Sequence, residues 1–161
     1  MGDTRLCLRG QMTLLNEWIA NKQLDRIASR DEMQPAQFIT ELAYISILEK
    51  VETDIIFRIS GSEIRRMLGR EARGRKLVQF PGLARSNAGM QAAKSAFKHA
   101  QPVSGTYELP GNRVHFWLRL PIVDKRGKLT QLLCHDRVLD HEMIEVEAPS
   151  YVIGQKVQHA A

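Results

Sequence analysis

The stretch Asp54-Ile-Ile-Phe-Arg-Ile-Ser-Gly-Ser-Glu-Ile-Arg-Arg-Met-Leu-Gly-Arg-Glu-Ala-Arg-Gly-Arg-Lys-Leu77 decides the fold. It opens with period two: Ile55, Phe57 and Ile59 on one face, Ile56, Arg58 and Ser60 on the other, the alternation of a half-buried strand. Gly61 breaks the strand, Ser62 is placed to cap a short helix through Leu68, and Gly69 stops that helix. A further glycine, Gly74, lies in a basic loop. The piece therefore joins a sheet to small, irregular helices. From Arg65 to Lys76 it carries Arg65, Arg66, Arg70, Arg73, Arg75 and Lys76 against the single acid Glu71. The local balance of +5 equals the formal charge of the whole chain, so the rest is neutral overall.

Upstream, residues 11–24 read as an amphipathic helix, with Leu8, Met12, Leu15, Trp18 and Ile19 recurring at helical spacing. The polar run Ser29-Arg-Asp-Glu-Met-Gln-Pro35 ends it no later than its proline. The apolar run Phe38 to Val51 predicts a strand around Leu42–Leu48. Downstream, Phe80-Pro-Gly82 punctuates the chain, and Asn87–Ala100 is predicted helical, with Met90, Ala93, Ala96, Phe97 and Ala100 on one stripe and Pro102 as its stop. Three strands follow. Val103–Leu109 turns through Leu109-Pro-Gly-Asn112, type II chemistry. Arg113–Val123 alternates, with Val114, Phe116, Leu118, Leu120 and Ile122 expected inward and His115, Trp117 and Arg119 outward. Asp124-Lys-Arg-Gly127 is a hairpin loop, and Leu129–Leu139 is the return strand. The tail from Asp140 is open to three readings: an added strand, a segment swapped onto a neighbour, or a loose end.

The fold class expected is α+β: a five-stranded antiparallel sheet with short helices and one longer helix on one face, plus the N-terminal helix. Residues 1–35 form that helix and its connection, 36–139 the core domain, and 140–161 the tail. A length of 161 residues suits one domain, and 43% apolar residues can fill a core. No apolar run approaches the roughly 20 residues of a membrane span. Residues 1–10 hold Asp3, Arg5 and Arg9 and no apolar centre, so they do not read as a secretory signal. Two cysteines, Cys7 and Cys134, make no disulfide framework, and a reducing cytoplasm is the expected location.

The element order is that of a PAS domain. The residues go further. Trp18 in an opening helix, Ser29-Arg30-x-Glu32-Met33-x-Pro35, Phe57-Arg58-Ile59-x-Gly61-Ser62-x-Ile64 and Gly69-Arg70-Glu71-x-x-Gly74-Arg75 resemble a bacterial family of small stand-alone PAS-like proteins. The match runs over roughly residues 14–139, a PAS-sized unit. The resemblance implies a PAS fold and a sensory or regulatory role. It implies no cofactor.

The candidate chemistry is sparse. Cys134, His135 and Asp136 are neighbours in a predicted strand, so they point to alternate faces and cannot relay protons among themselves; a buried cysteine beside surface polar groups is expected. His135, His141 and Glu142 lack paired metal-ligand spacing. His99 lies off the Met90–Ala93–Phe97 stripe and faces solvent, so haem is not expected through it. The Asn-Cys-Arg-Phe string of cysteine-adduct flavin domains is absent, and flavin is not expected either. There is no phosphate loop and no nucleophile elbow. The ligand-lining candidates, if the core leaves room, are Phe57, Met67, Met90, Phe97, Tyr107, Phe116 and Leu118. Arg65, Arg66, Arg70, Arg73, Arg75 and Lys76 are candidates for contact with an anion or acidic partner, since arginine suits bidentate carboxylate or phosphate contact; the plainer alternative is a solvated face. Leu15, Trp18, Ile19 and Trp117 are the expected contacts of a homodimer.

The leading expectation is a non-enzymatic regulatory protein acting through another protein, its contact set either by a small molecule in the core or by simple docking. A small cone-shaped α+β enzyme ranks second. It needs ionisable groups inside, and the inward series of 113–123 offers none. A nucleic-acid binder ranks third, resting only on the basic loop, which lacks the interleaved aromatics such proteins use.

Overall fold

The computed structural model describes residues 7–23, 26–80 and 89–147. Five antiparallel strands form one sheet in the order β2-β1-β5-β4-β3. They are β1 (Ile45–Val51), β2 (Asp54–Ser60), β3 (Val103–Leu109), β4 (Arg113–Val123) and β5 (Leu129–Asp140). Helix α1 (Arg9–Asn21) and a 3-10 segment (Pro35–Tyr44) precede the sheet. Helix α2 (Ser62–Leu68), a single 3-10 turn (Leu77–Gln79) and α3 (Met90–His99) lie between β2 and β3, and α4 (His141–Glu147) follows β5.

Both sheet faces are covered. The front face, under α2 and α3, buries Leu48, Phe57, Leu77, Phe80, Trp117 and Leu132 against Ala92, Ala93 and Ala96. The small side chains of α3 let the helix approach the sheet closely. The back face buries Ile45, Ile47, Leu118, Leu120, Ile122 and Leu133 under Leu14 and Trp18 of α1 and Phe38 of the 3-10 segment. Val114, Phe116 and Leu139 continue that face beneath Leu8 and Ile144 of α4. Trp18 is tied down at its polar end, its Nε1 donating to Pro121 O at 2.6 Å.

Several expectations are corrected here. The alternation of β4 does not separate inside from outside. It separates two cores, because a central strand of a doubly covered sheet is buried on both sides. Its aliphatic series faces α1, and His115, Trp117 and Arg119 face α3. The apolar run before Val51 is not a strand from Leu42: residues 35–44 are helical, interrupted at Phe38, and β1 starts at Ile45. Pro35 opens that segment, and Gly61 closes over its end so tightly that a Cβ there would collide with the carbonyls of Leu42 and Ala43. Ile59 parts from Ile55 and Phe57. Ile47 faces Ile59 while Leu48 faces Phe57, so Arg58 is the extra residue of a bulge, and Ile59 turns to the back. Gly61, not Ser62, stands at the N-cap of α2. Asp140, where the expected tail begins, closes β5, and His141–Glu147 after it are helical; residues 148–161 lie outside the described residues, as do residue 24 of the expected first helix and 87–88 of the second. The Leu109–Asn112 turn has Gly111 at φ 80°, the left-handed third position of a type II turn.

Candidate functional site

The front face carries a buried polar group at the centre of the sheet. In the β4–β5 pairing Trp117 stands opposite Asp136, Arg119 opposite Cys134 and His115 opposite Val138. Asp136 therefore lies on the diagonal of both His115 and Arg119, within reach of each. Arg119 grips it with two nitrogens, Nη1 to Oδ2 at 2.9 Å and Nη2 to Oδ1 at 2.8 Å. His115 Nε2 lies 2.7 Å from Oδ1; an ionised carboxylate can only accept, so Nε2 carries the proton. Arg119 Nη1 also donates to Leu118 O at 3.0 Å. All three side chains are nearly closed to solvent, Arg119 at 1% exposure.

Burial alone would push the Asp136 carboxyl up. The Arg119 guanidinium, then the His115 hydrogen bond, overcome it and hold the group well below the usual carboxylate range. Burial would likewise lower Arg119, and Asp136 more than restores it. For Cys134 the balance goes the other way: burial pushes its thiol up to about 12, outweighing the nearby Arg119 guanidinium. Cys134 is an inert buried thiol here, not a nucleophile.

Asp136 also reaches the lining of a cleft of about 490 Å³. Its walls are Glu63, Arg66 and Met67 of α2, Tyr44, Leu109, Arg113, and Asp136, Arg137, Val138 and Asp140 of β5. On the back of the same strand His135 is fully buried, its Nε2 3.0 Å from Glu41 Oε1. That hydrogen bond holds the Glu41 carboxyl below its ordinary value, against the opposing effect of burial. Cys134, His135 and Asp136 do point to alternate faces, but His135 and Asp136 are buried, not surface groups.

The expected ligand-lining set splits. Phe57, Met67, Met90 and Phe97 gather on the front core. Tyr107 stands 46% exposed near the sheet edge. Phe116 and Leu118 belong to the back face, for the reason given for β4. Of the expected dimer contacts, Trp117 is buried in the front core and Trp18 in the back core, Leu15 is partly buried, and Ile19 is 55% exposed.

The basic segment is neutralised more locally than its composition suggests. Arg66 pairs with Glu63 at 3.3 Å, Lys76 with Asp54 at 2.9 Å and Arg65 with Glu71 at 4.0 Å. Arg70 donates to Gln79 O at 2.6 Å and stacks on Phe80, and Arg75 donates to Glu71 O at 3.0 Å. Arg73 is exposed. The backbone of the loop covers the edge of β2, with Gly74 N donating to Phe57 O and Phe57 N to Arg75 O. Among the described residues no group of His, Cys, Asp and Glu is arranged to hold a metal ion, and no helix is long and apolar enough to cross a membrane.

The sequence reading missed His115, Arg119 and Asp136. The hairpin at Asp124–Gly127 sets the pairing only as far as Val123 and Leu129; an irregularity between Ile122 and Val123 then shifts the register by one, and only that shift sets Asp136 opposite Trp117, between the other two.

Comparison with known proteins agrees with this architecture. A family model described as a PAS domain matches residues 8–126. A search of curated proteins returns no match. Among solved structures, the PAS domain of the histidine kinase ThkA is similar at 18% identity and a TM-score of 0.48, over 58% of this chain and 96% of that one. An RNA-binding light-oxygen-voltage receptor is similar at 13% identity and a TM-score of 0.47, over 86% of this chain and 41% of that one. With its five-stranded sheet, its intervening short helices and a family match across most of its length, the chain belongs to the PAS domain family.

Proposed function

We propose that this PAS domain is a non-catalytic sensory or regulatory module that acts by contact with another protein, and that a small molecule bound on the front face sets that contact. The observation that carries the regulatory class is membership of the PAS family, whose domains are typically sensory or signalling modules. What supports a ligand on the front face is the cleft beside Asp136: a mixed lining of carboxylates, guanidiniums, Tyr44 and apolar Met67 and Leu109 suits a small polar molecule with an apolar portion.

Ionisable groups do face the front of β4. They are committed to one another: Arg119 and His115 Nε2 both bind Asp136, and burial pushes the Cys134 thiol up to about 12, which speaks against Asp136 as a base and Cys134 as a nucleophile.

Native mass spectrometry of freshly purified protein, followed by a thermal-shift screen of small metabolites, tests the proposal. A retained or stabilising compound is expected, and its effect should vanish in Met67→Trp, which fills the cleft. Turnover of that compound would make the protein an enzyme. No stabilising compound for the native chain would remove the ligand and leave docking alone.

A further inference from the structure

The polar run after α1 and the β4–β5 hairpin loop meet at one end of the sheet. Backbone bonds tie them together: Ser29 bridges Val123, Arg30 N donates to Val123 O at 3.3 Å, and Val123 N donates to Ala28 O at 3.0 Å. Between residues 29–31 and 124–131 lies a cleft of about 550 Å³, a size that suits a small molecule. It shares no lining residue with the front-face cleft beside Asp136.

Arg30, Lys125, Arg126 and Lys128 line this cleft against two carboxylates, Asp31 and Asp124. Among the described residues none of the four cations stands in an ion pair, whereas most cations of residues 65–76 are committed to an acid or a carbonyl. Asp124 is turned to its own hairpin. Its Oδ1 accepts from Arg126 N at 2.8 Å and Lys128 N at 3.0 Å, and its Oδ2 from Thr130 Oγ1 at 3.1 Å. These bonds fix the loop that presents the basic side chains. A second observation comes from Gln131, which lines the same cleft and is 7% exposed. Its Nε2 donates to Glu49 Oε2 at 2.9 Å. A carboxylate only accepts, so the amide cannot be turned the other way. That leaves Gln131 Oε1 as a buried acceptor for which the described residues supply no donor.

We propose that this cleft binds a phosphorylated polyol, a molecule with at least two phosphate groups and free hydroxyls. The phosphates meet Arg30, Lys125, Arg126 and Lys128, the two arginines being suited to bidentate contact. A hydroxyl supplies the donor that Gln131 Oε1 lacks, and a second one can donate to Asp31. No aromatic side chain lines the cleft, so a base would find no platform to stack on, which favours a sugar phosphate over a nucleotide or a single-stranded nucleic acid. The same chemistry can arrive free or as the headgroup of an inositol phospholipid. The site is independent of the ligand proposed for the front face.

The test is calorimetric titration of the full chain with two probes: fructose bisphosphate, and hexanediol bisphosphate, which carries two phosphates and no free hydroxyl. Both should bind saturably and more weakly as salt rises, with fructose bisphosphate preferred about threefold or more for its hydroxyl contact. Lys125→Glu with Lys128→Glu, both exposed, should weaken both probes at least about tenfold. Lys94→Glu with Lys98→Glu, an equal change of net charge on α3, should leave both unchanged, as should Met67→Trp in the front cleft. Gln131→Met should abolish the preference and keep the binding of hexanediol bisphosphate; should that variant fail to fold by circular dichroism, the preference of the native chain decides. Sedimentation with phosphatidylcholine vesicles carrying phosphatidylinositol bisphosphate, lost in the Lys125 and Lys128 pair, supports the same site with a lipid as the source. Absence of saturable binding to fructose bisphosphate and to these vesicles overturns the proposal. So does equal affinity of the native chain for the two probes, and so does equal weakening by the Lys94 and Lys98 pair, which would reduce the effect to bulk charge. Tighter binding of polyuridylate RNA that the Lys125 and Lys128 reversal abolishes also overturns it, since the cations would then belong to a nucleic-acid backbone.

Discussion

Replacing Asp136 with alanine removes the one carboxylate that balances a fully buried guanidinium. Arg119 then keeps its charge at 1% exposure with three short contacts to Asp136 gone, two of its own and one from His115. Breaking a buried ion pair from one side costs about 3–5 kcal/mol, chiefly because the survivor is left uncompensated. A domain of this size shifts by about 2–4 °C per kcal/mol, so the melting point should fall by about 6–20 °C. Urea unfolding followed by far-ultraviolet circular dichroism measures the free energy directly. The double variant Arg119→Met with Asp136→Leu removes both charges and leaves His115 Nε2 without its carboxylate, at about 1–3 kcal/mol, so it should be more stable than Asp136→Ala alone. The pH dependence has a fixed sign. The folded carboxyl lies below its unfolded value of about 3.9. Its stabilisation is therefore complete above that value and is lost as pH falls toward the folded value. The stability gap between native protein and Asp136→Asn should narrow from neutral pH to about pH 3. A loss under about 1 kcal/mol for Asp136→Ala, or a gap independent of pH, would refute the claim that these charges depend on each other.

Gly105→Ala would place a Cβ 2.5 Å from Trp117 Cζ2; overpacking of that kind costs about 1–3 kcal/mol and should shift tryptophan fluorescence as the indole is displaced. Trp18→Phe keeps the apolar ring but strands the Pro121 carbonyl, with an expected loss of about 1–3 kcal/mol by urea titration. Glu41 is held below its ordinary value by His135, so its contribution is present above the unfolded value of about 4.3 and lost on acidification; Glu41→Gln should show a shallower fall of melting point below about pH 5 than the native protein. Cys134, buried with its thiol pushed up to about 12, should resist a thiol reagent such as dithionitrobenzoate until urea unfolds the chain; prompt reaction at Cys134 in the native state would show that the front core opens.

The β2–α2 unit and the final three-strand meander were legible because their signals are local. Period two, glycine breaks and a proline–glycine turn need no knowledge of what packs where. The 3-10 segment at 35–44 was not legible, since a short apolar run looks alike as strand or helix until its neighbours are known. The faces of β4 were misread for a related reason. Alternation of Val, Phe and Leu with His, Trp and Arg ordinarily signals one wet face, and only the placement of α1 on the back of the sheet turns both faces inward. The site failed with the faces, because Asp136 and Arg119 can be recognised as a pair only once both are known to be dry.

The sheet order has a consequence for how the chain comes to exist. The β1–β2 hairpin and the β3–β4 hairpin do not touch as neighbours; β5 lies between them and hydrogen-bonds to both. Among the described strands it is also the last to be synthesised. Until Leu129–Asp140 has emerged, β1 and β4 each present an open edge, Ile45–Val51 on one and the eleven residues Arg113–Val123 on the other, to whatever the cell places beside them. Two half-sheets must wait for one closing strand, and the contacts it makes are distant in sequence from β1, which slows the step. Truncations that end before residue 140 should therefore yield sticky, incomplete sheets with no smaller stable fold to fall back on, and the nascent protein is most exposed to misassembly just before translation supplies its centre.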